Sequence, residues 1–364
     1  MFLCYIEKAW HSEIFARGLK RFMKTCHIQG KTGKSTILVG ESLHQLEYHI
    51  RGRRAVIITD DHLMDLYRQD FPGHPVIVIG CGEAIKTLDT VNRIYQQLVK
   101  LEADRSTLIV GIGGGIVCDI TGFVASTYMR GMPFGFVAST LLAQVDASVG
   151  GKNGVNFGGF KNMVGVFNQP EFVICDMNLL RTLSKPDLSC GFAEIVKHAI
   201  IADADLFAYL EEHWPEALAL EPDVIEKLVY DSVVIKAGVV GRDETEKGER
   251  RILNFGHTIG HAIEKTTGIP HGEAVSIGMV AASRIAVQQG LLPARDADRI
   301  NTLLTNLHLP TRITGHRNAI LSAMRKDKKR EGNTIHVVLP AGIGKAVIQP
   351  VSLTDVEMIT QGLF

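Results

Sequence analysis

Residues 107–119, TLIVGIGGGIVCD, combine an apolar run, a glycine cluster and a candidate helix start. A short apolar run with β-branched residues, here 107–113, is typical of a buried strand. The glycines at 113–115 follow, and we expect a helix to begin near Ile116. A strand, a glycine turn and a helix N-terminus can cradle a pyrophosphate, because the first-turn amides point at the anion. The spacing differs from GxGxxG, so a tight turn with packing glycines is an equally open interpretation.

Similar apolar runs on either side predict a largely parallel sheet. The predicted strands of the first half are 54–60, 75–80, 107–113 and 172–176. An amphipathic helix predicted at 84–101 separates the second strand from the third. Strands that alternate with helices are typical of a parallel α/β sheet.

The pattern becomes helical after about residue 180. Apolar residues recur at three-to-four spacing in 187–213, 223–243, 252–266 and 273–289, and only 334–339 suggests a further strand. The sequence therefore predicts two domains, an N-terminal nucleotide-binding α/β domain at 1–180 and a mainly α-helical metal- and substrate-binding domain at 181–364.

Composition excludes several function classes. Lys+Arg and Asp+Glu are equal at 39 each, so no overall charge favours nucleic acid or a membrane surface. No apolar run approaches the roughly 18 residues that a membrane span needs. The six cysteines contain no CxxC pair, which favours a reduced environment. We expect a soluble, cytoplasmic protein.

Charged residues stand among glycines in the segment 127–162. They are Arg130, Asp146, Lys152, Lys161 and Asn162. Glycine-rich backbone with interspersed Lys and Asn can bind phosphate. A flexible surface loop explains any one of these residues, but the apolar flank of the set favours a binding site.

A candidate metal site lies in the helical half. Glu194, His257, His261 and His271 offer the carboxylate and imidazole ligands of a catalytic zinc site, which has three such ligands and one open position. His257 and His261 are four residues apart and can share a helix face, although such pairs are common in ordinary helices.

Further charged residues surround these candidates in the sequence. Lys197 follows Glu194 by three positions and shares its helix face. Lys236 has apolar neighbours that draw it toward the core, where a lysine needs an anion. The segment 242–254, with Glu246, Arg250 and Asn254, is either a solvated turn or the wall of a pocket.

The chain resembles the 3-dehydroquinate synthases of the sugar phosphate cyclase superfamily over about residues 50–345. The resemblance is carried, in order, by GGGIVCDITGFVASTYMRG, LLAQVDASVGGK, KNMVGVFNQP, GFAEIVKHAII, RDETEKGERRILNFGHTIGHAIE and HGEAVSIGM. The chain departs from the family's usual sequence at Ala138-Ser139-Thr140, at NFGGFKN (156–162) and at Asp60-Asp61-His62. The resemblance implies a dehydroquinate synthase-like fold, NAD, and Zn²⁺ with Co²⁺ as the other candidate metal.

The resemblance also implies roles for individual residues. The implied metal ligands are Glu194, His257 and His271. The implied NAD-site residues are Asp60, Glu83, Lys86, Gly113, Gly114, Gly115, Asp119, Ser139, Thr140, Lys152, Lys161, Asn162 and Thr182. The implied catalytic and substrate-pocket residues are Asp146, Lys152, Asn162, Lys197, Lys236, Glu246, Arg250, Asn254 and His261, with one lysine of the pair Lys328 and Lys329 at the phosphate. Arg130 would reach the neighbouring subunit's substrate, which implies a homodimer.

The implied activity is that of a carbon–oxygen lyase of the shikimate pathway, which leads to the aromatic amino acids. The substrate would be 3-deoxy-D-arabino-heptulosonate 7-phosphate, a small sugar acid phosphate. Transient oxidation at C5 by NAD, phosphate elimination, reduction and an intramolecular aldol closure would give 3-dehydroquinate.

Three alternatives remain open from the residues. Another sugar phosphate cyclase would act on a substrate without the C1 carboxylate, against which Lys236 and Arg250 argue. A metal-dependent polyol dehydrogenase would need fewer anion-binding groups. An inactive binding protein would have no reason to retain metal, cofactor and pocket residues together.

Overall fold

The computed structural model describes residues 23–325, 330–331 and 334–360, and these form two compact units. Unit 1 contains the described residues up to Leu183 together with Lys236–Thr245. Unit 2 contains Ser184–Ile235 and the described residues from Glu246 onward. The segment Lys236–Thr245 thus belongs to unit 1, although it lies inside the predicted domain 181–364.

In the part of the chain that is described, unit 1 is an α/β structure of nine strands and four whole α-helices, together with the end of a fifth helix that begins in unit 2. The strands are β1 (Lys24–Gln29), β2 (Lys34–Val39), β3 (Ala55–Thr59), β4 (Val76–Val78), β5 (Leu108–Gly113), β6 (Phe134–Ala138), β7 (Lys152–Phe157), β8 (Phe160–Phe167) and β9 (Phe172–Cys175). The helices are α1 (Leu46–Ile50), α2 (Asp61–Tyr67), α3 (Leu88–Lys100) and α4 (Gly115–Thr127).

Seven strands of unit 1 form one sheet in the order β1-β2-β9-β6-β5-β3-β4. Strand β1 is antiparallel to β2, and the other pairs are parallel. Strands β3, β5, β6 and β9 are buried along their whole length, which explains why they read as continuous apolar runs. The four strands and the parallel sheet that the sequence predicts for this half are confirmed.

The remaining two strands, β7 and β8, form an antiparallel hairpin. The strands are joined by Gly158 and Gly159, whose φ angles are +59° and +78°. Two consecutive residues in this region make a tight hairpin turn that glycine forms without steric cost. The surface-loop interpretation is therefore wrong for residues 152–162 of this segment, which lie in a β-ribbon whose register is irregular between Val155 and Phe157.

Unit 2 is mainly helical. Its helices are α5 (Lys185–Ala202), α6 (Ala204–Leu218), most of α7 (Pro222–Arg242), α8 (His257–Thr267), α9 (His271–Gln288), α10 (Ala294–Asn306), α11 (Arg317–Arg325) and α12 (Leu353–Thr360). A three-stranded antiparallel sheet contains β10 (Arg330–Glu331), β11 (Thr334–Pro340) and β12 (Ala346–Ser352). No helix in the described part of the chain is long and apolar enough to cross a membrane.

Two predicted helix boundaries in this half are wrong, and one strand was not predicted. The predicted helix 187–213 is two helices, because Asp203 ends α5 and caps α6 by accepting hydrogen bonds from the amides of Asp205 and Leu206. The predicted helix 252–266 starts only at His257, after a 3₁₀ turn and Gly256 at φ +76°. The strand at 334–339 also has a partner, β12, that the sequence pattern does not reveal.

Candidate active site

Three helices of unit 2 bring together a carboxylate and two imidazoles. Glu194 lies in α5, while His257 and His271 are the first residues of α8 and α9. Their potential ligand atoms lie within 4.8 Å of one another. The Nε2 atoms of His257 and His271 are 3.7 Å and 3.5 Å from Oε1 of Glu194.

Glycines allow the helices that carry these ligands to approach closely. A Cβ atom at Gly272, next to His271, would lie 2.3 Å from the Cα of Cys190 in α5. A Cβ at Gly278 in α9 would lie 1.9 Å from the carbonyl oxygen of Gly256, next to His257. Since no side chain fits at either contact, the glycines set the spacing of the three ligands.

The charges of these groups suit a divalent cation. Burial lowers the pKa of His257 to about 3, although Glu194 opposes the shift, so this imidazole is neutral and can donate a lone pair. Burial also lowers the pKa of His271, but hydrogen bonds with Glu194 and Glu264 outweigh it and raise the pKa to about 9, so the ring is protonated without a metal and a bound cation would replace the proton on Nε2. Glu194 is fully buried and pairs with the ammonium of Lys197. One carboxylate and two imidazoles match the donor set of a catalytic zinc site, so the residues fit such a metal.

The other predicted pocket residues of unit 2 lie before and within α8. Arg250 is 1% exposed, and Asn254 Nδ2 donates a 2.7 Å hydrogen bond to Oε1 of Glu246. Glu246 adopts φ +58°, a conformation that non-glycine residues rarely take and that is enriched at functional sites. His261 is exposed, with its ring centroid 5.2 Å from that of His257.

The glycine turn of unit 1 joins β5 to the N-terminus of α4. Gly113 packs against Val117, where a Cβ would lie 2.4 Å from the valine Cβ, and Gly115 packs against Ala147. Close packing therefore accounts for Gly113 and Gly115, as expected for a tight turn with packing glycines. Gly114 is the N-cap of α4 and has no side chain to cap its first amides, so the turn also retains the donors that an anion needs.

Charged residues predicted for the dinucleotide form two contacts beside this turn. Lys86 and Asp119 make a largely buried ion pair. Glu83 accepts a 2.7 Å hydrogen bond from Asn156 in β7 and lies 4.0 Å from the ammonium of Lys161 in β8. The backbone amide of Asn162, at φ +50°, donates to Oδ1 of Asn156.

Four further NAD-site candidates lie at or beyond the carboxyl ends of strands. Asp60 follows β3 and caps α2, and burial raises its pKa. Ser139 and Thr140 follow β6, and Thr140 Oγ1 accepts from the amide of Ala143. Thr182 Oγ1 lies 2.9 Å from the hydroxyl of Tyr67. The carboxyl ends of parallel strands are where open α/β sheets bind ligands.

The remaining substrate candidates of unit 1 divide into one buried contact and an exposed set. Lys236 donates a 2.6 Å hydrogen bond to the carbonyl of Asp146 and lies 2.8 Å from its Oδ1. Lys152 and Arg130 are exposed, and Arg130 has φ +67°. Lys328 and Lys329 lie outside the described residues.

The sequence analysis did not identify two polar side chains, Glu264 and Asn156, that hydrogen-bond to predicted site residues. Glu264 Oε2 accepts a 3.1 Å hydrogen bond from Nδ1 of His271. Asn156 links Glu83 to Asn162. Glu264 stands one helical turn after His261, so its position on the same face was the available signal.

Comparison with solved structures places the chain, with its group of Glu194, His257 and His271, in the sugar phosphate cyclase superfamily. A 2-deoxy-scyllo-inosose synthase, solved with carbaglucose-6-phosphate, NAD⁺ and Co²⁺, is 28% identical with a TM-score of 0.84, covering 93% of this chain and 100% of the other. A 2-epi-5-epi-valiolone synthase from Streptomyces hygroscopicus, with NAD⁺ and Zn²⁺ bound, is 25% identical with a TM-score of 0.83, covering 97% and 99%.

Sequence comparison narrows the class to one family. Residues 76–190 match the 3-dehydroquinate synthase N-terminal family and residues 191–330 match the 3-dehydroquinate synthase C-terminal family. A 3-dehydroquinate synthase of Symbiobacterium thermophilum is 42% identical over 311 residues, 82% of this chain and 87% of that protein. The chain belongs to the 3-dehydroquinate synthase family. This finding confirms the predicted resemblance, fold class and enzyme class.

Proposed function

We propose that this protein converts 3-deoxy-D-arabino-heptulosonate 7-phosphate into 3-dehydroquinate and inorganic phosphate, as a step toward the aromatic amino acids. The observation that carries the proposal is the group Glu194, His257 and His271, which fits a divalent metal in a chain of this family. The reaction is redox-neutral overall, so a dinucleotide oxidant would be restored in each turnover.

Each cofactor has residues that fit it. Glu194, His257 and His271 would hold Zn²⁺ or Co²⁺, because the set offers one carboxylate and two imidazoles. The amides at the start of α4 would hold the pyrophosphate of NAD, with Asp60, Thr140 and the Lys86–Asp119 pair around it. When bound, NAD supplies a reversible hydride acceptor and the metal supplies a Lewis acid.

Basic residues would bind the two anionic ends of the substrate. Lys152 and Asn162 lie exposed on the β7–β8 hairpin, where a phosphate can approach them. Arg250 would bind the C1 carboxylate through the paired N–H groups of its guanidinium. His261 and a lysine of the Lys328–Lys329 pair complete the proposed phosphate contacts.

Carboxylates and a lysine would position the reacting hydroxyls. Asp146 contacts Lys236, and Glu246 accepts a hydrogen bond from Asn254, so these contacts help to orient each carboxylate. A fixed carboxylate can accept a hydroxyl hydrogen and relay a proton. The ammonium of Lys197, next to Glu194, would stabilise negative charge that develops on a substrate oxygen.

Two rival activities differ in their products. An inosose- or valiolone-forming cyclase would act on a substrate without the C1 carboxylate, so the buried Arg250 would have no partner on it. A polyol dehydrogenase would accumulate NADH.

We further propose a homodimer in which Arg130 contributes to the neighbouring site, and a cytoplasmic location.

The test is phosphate release from 3-deoxy-D-arabino-heptulosonate 7-phosphate with catalytic NAD⁺, before and after chelation and zinc addition. We expect chelator-sensitive release that zinc restores, with 3-dehydroquinate formed and no net NADH. Protein loaded with metal and NAD⁺ that releases no phosphate would contradict the proposal. Turnover of sedoheptulose 7-phosphate or a hexose 6-phosphate in its place would identify the rival cyclase.

A further inference from the structure

Glu264 of α8 lies behind the proposed metal ligand His271. Its Oε2 is 3.1 Å from Nδ1 of His271, and its side chain is 12% exposed. The other ring nitrogen of His271, Nε2, faces Oε1 of Glu194 at 3.5 Å. The imidazole therefore stands between two carboxylates, one at each nitrogen.

The two nitrogens of an imidazole ligand have different tasks. A neutral ring carries one N–H, and the nitrogen without hydrogen donates its lone pair to a metal. A carboxylate at Nδ1 fixes the hydrogen there and leaves Nε2 for the metal. His257 has the same arrangement with another acceptor, because its Nδ1 lies 3.0 Å from the carbonyl oxygen of Phe255.

We propose that Glu264 is a positioning residue for the metal. It holds the hydrogen of His271 on Nδ1 and orients the ring, so that Nε2 points toward Glu194 and His257. The proposal rests on the proposed function, since it concerns the same metal site, but it adds a residue that does not itself bind the metal.

A competing arrangement uses Glu264 as a direct ligand. His261, Glu264 and His271 also offer ligand atoms within 4.8 Å of one another. This second group includes the exposed His261, whereas the first is centred on the fully buried Glu194. A metal is bound more strongly where carboxylate and imidazoles are already desolvated and held by packing, which favours the first group.

The direct test is the zinc affinity of E264Q, measured by competition with a chromophoric chelator. We expect binding weaker by about 10- to 100-fold, the usual effect of removing a partner of a metal-bound histidine. E264D, which retains the carboxylate, should recover part of the loss. E212Q is the matched control, because Glu212 is an exposed glutamate of α6 in the same unit, and this variant should bind zinc as the wild type does.

Cobalt substitution separates positioning from ligation. If Glu264 only orients His271, the visible spectrum of the Co²⁺ form of E264Q should keep its coordination pattern, and E194Q should lose tight binding. Unchanged zinc affinity in E264Q, with unchanged thermal unfolding of the metal-free protein, would overturn the proposal. Loss of binding in both E264Q and H261N, with binding retained in E194Q, would overturn it in favour of the second group. A wild type that binds zinc but releases no phosphate would contradict only the proposed function.

Discussion

At the level of single residues, the largely buried ion pair of Lys86 and Asp119 is vulnerable to the loss of either partner. Burial raises the pKa of Asp119, and the ammonium of Lys86 opposes that shift. A buried charge that loses its partner is strongly destabilising. The pair therefore depends on both members.

We expect Lys86→Met to destabilise the protein by about 3 kcal/mol, because it leaves the Asp119 carboxylate buried without its counterion. Chemical denaturation at pH 7 measures the change. The double variant Lys86→Met/Asp119→Leu should recover most of the loss, since it removes both charges. A single variant as stable as the wild type would show that the pair contributes nothing.

Glu244 is a second residue whose charge contributes to the stability of the fold. Its carboxylate accepts hydrogen bonds from the Lys31 amide at 2.7 Å and from Gln169 Nε2 at 3.2 Å, and it also contacts the hydroxyl of Thr32. Burial raises its pKa, but these hydrogen bonds outweigh burial, so the pKa lies below the ordinary 4.5. The stabilisation is therefore fully present above about pH 4.5 and is lost as the pH falls through the lowered value.

We expect Glu244→Gln to reduce the free energy of unfolding at pH 7, and the gap from the wild type to shrink as the pH falls below 4.5. Urea denaturation at several pH values measures it, with E212Q as the control for loss of an exposed carboxylate. A gap that is independent of pH would mean that the charge of Glu244 is not involved.

At the level of elements, the approach of α9 to α5 decides the metal site. Gly272→Ala would place a Cβ atom 2.3 Å from the Cα of Cys190, so the start of α9 must move away from α5. We expect lower stability and weaker zinc binding, because His271 moves with that end of the helix. Gly241→Ala in α7 is the matched control, since nothing lies within 4 Å of its added Cβ. Thermal unfolding and zinc titration measure both variants, and wild-type zinc affinity in Gly272→Ala would contradict this explanation.

Elements with a clear apolar pattern in the sequence were predictable, whereas elements defined by tertiary contacts were not. Strands β3, β5 and β9 are continuous apolar runs, and their sequence predictions are confirmed. The hairpin of β7 and β8 lacks such a signal, because most of β8 is exposed. The start of α8 at His257 depends on Gly256 in the left-handed region, whereas the apolar pattern runs on through residues 252–256.

At the level of the whole molecule, metal binding should be linked to stability. All three proposed ligands belong to unit 2 but come from α5, α8 and α9, so a bound metal joins three helices. A ligand that binds only the folded state adds about 2.7 kcal/mol at 100 times its Kd. We expect zinc to raise the unfolding temperature in calorimetry and a chelator to reverse the rise. E194Q should show no such rise, and an equal rise in E194Q would place the metal elsewhere.

The order of residues alone is enough to identify the available chemistry and the family to which the chain belongs. Apolar runs, glycine clusters and the blocks around Glu194, His257 and His271 are properties of the chain order, so they can be read without coordinates. The resemblance implied the ligand set Glu194, His257 and His271, and the packing of the helices shows why these groups meet. Spacing alone would join His257 to His261 four residues away, yet His271 and Glu194 complete the group because three helices pack at glycines. Helix packing joins residues that are distant in the chain, and no local pattern records that proximity.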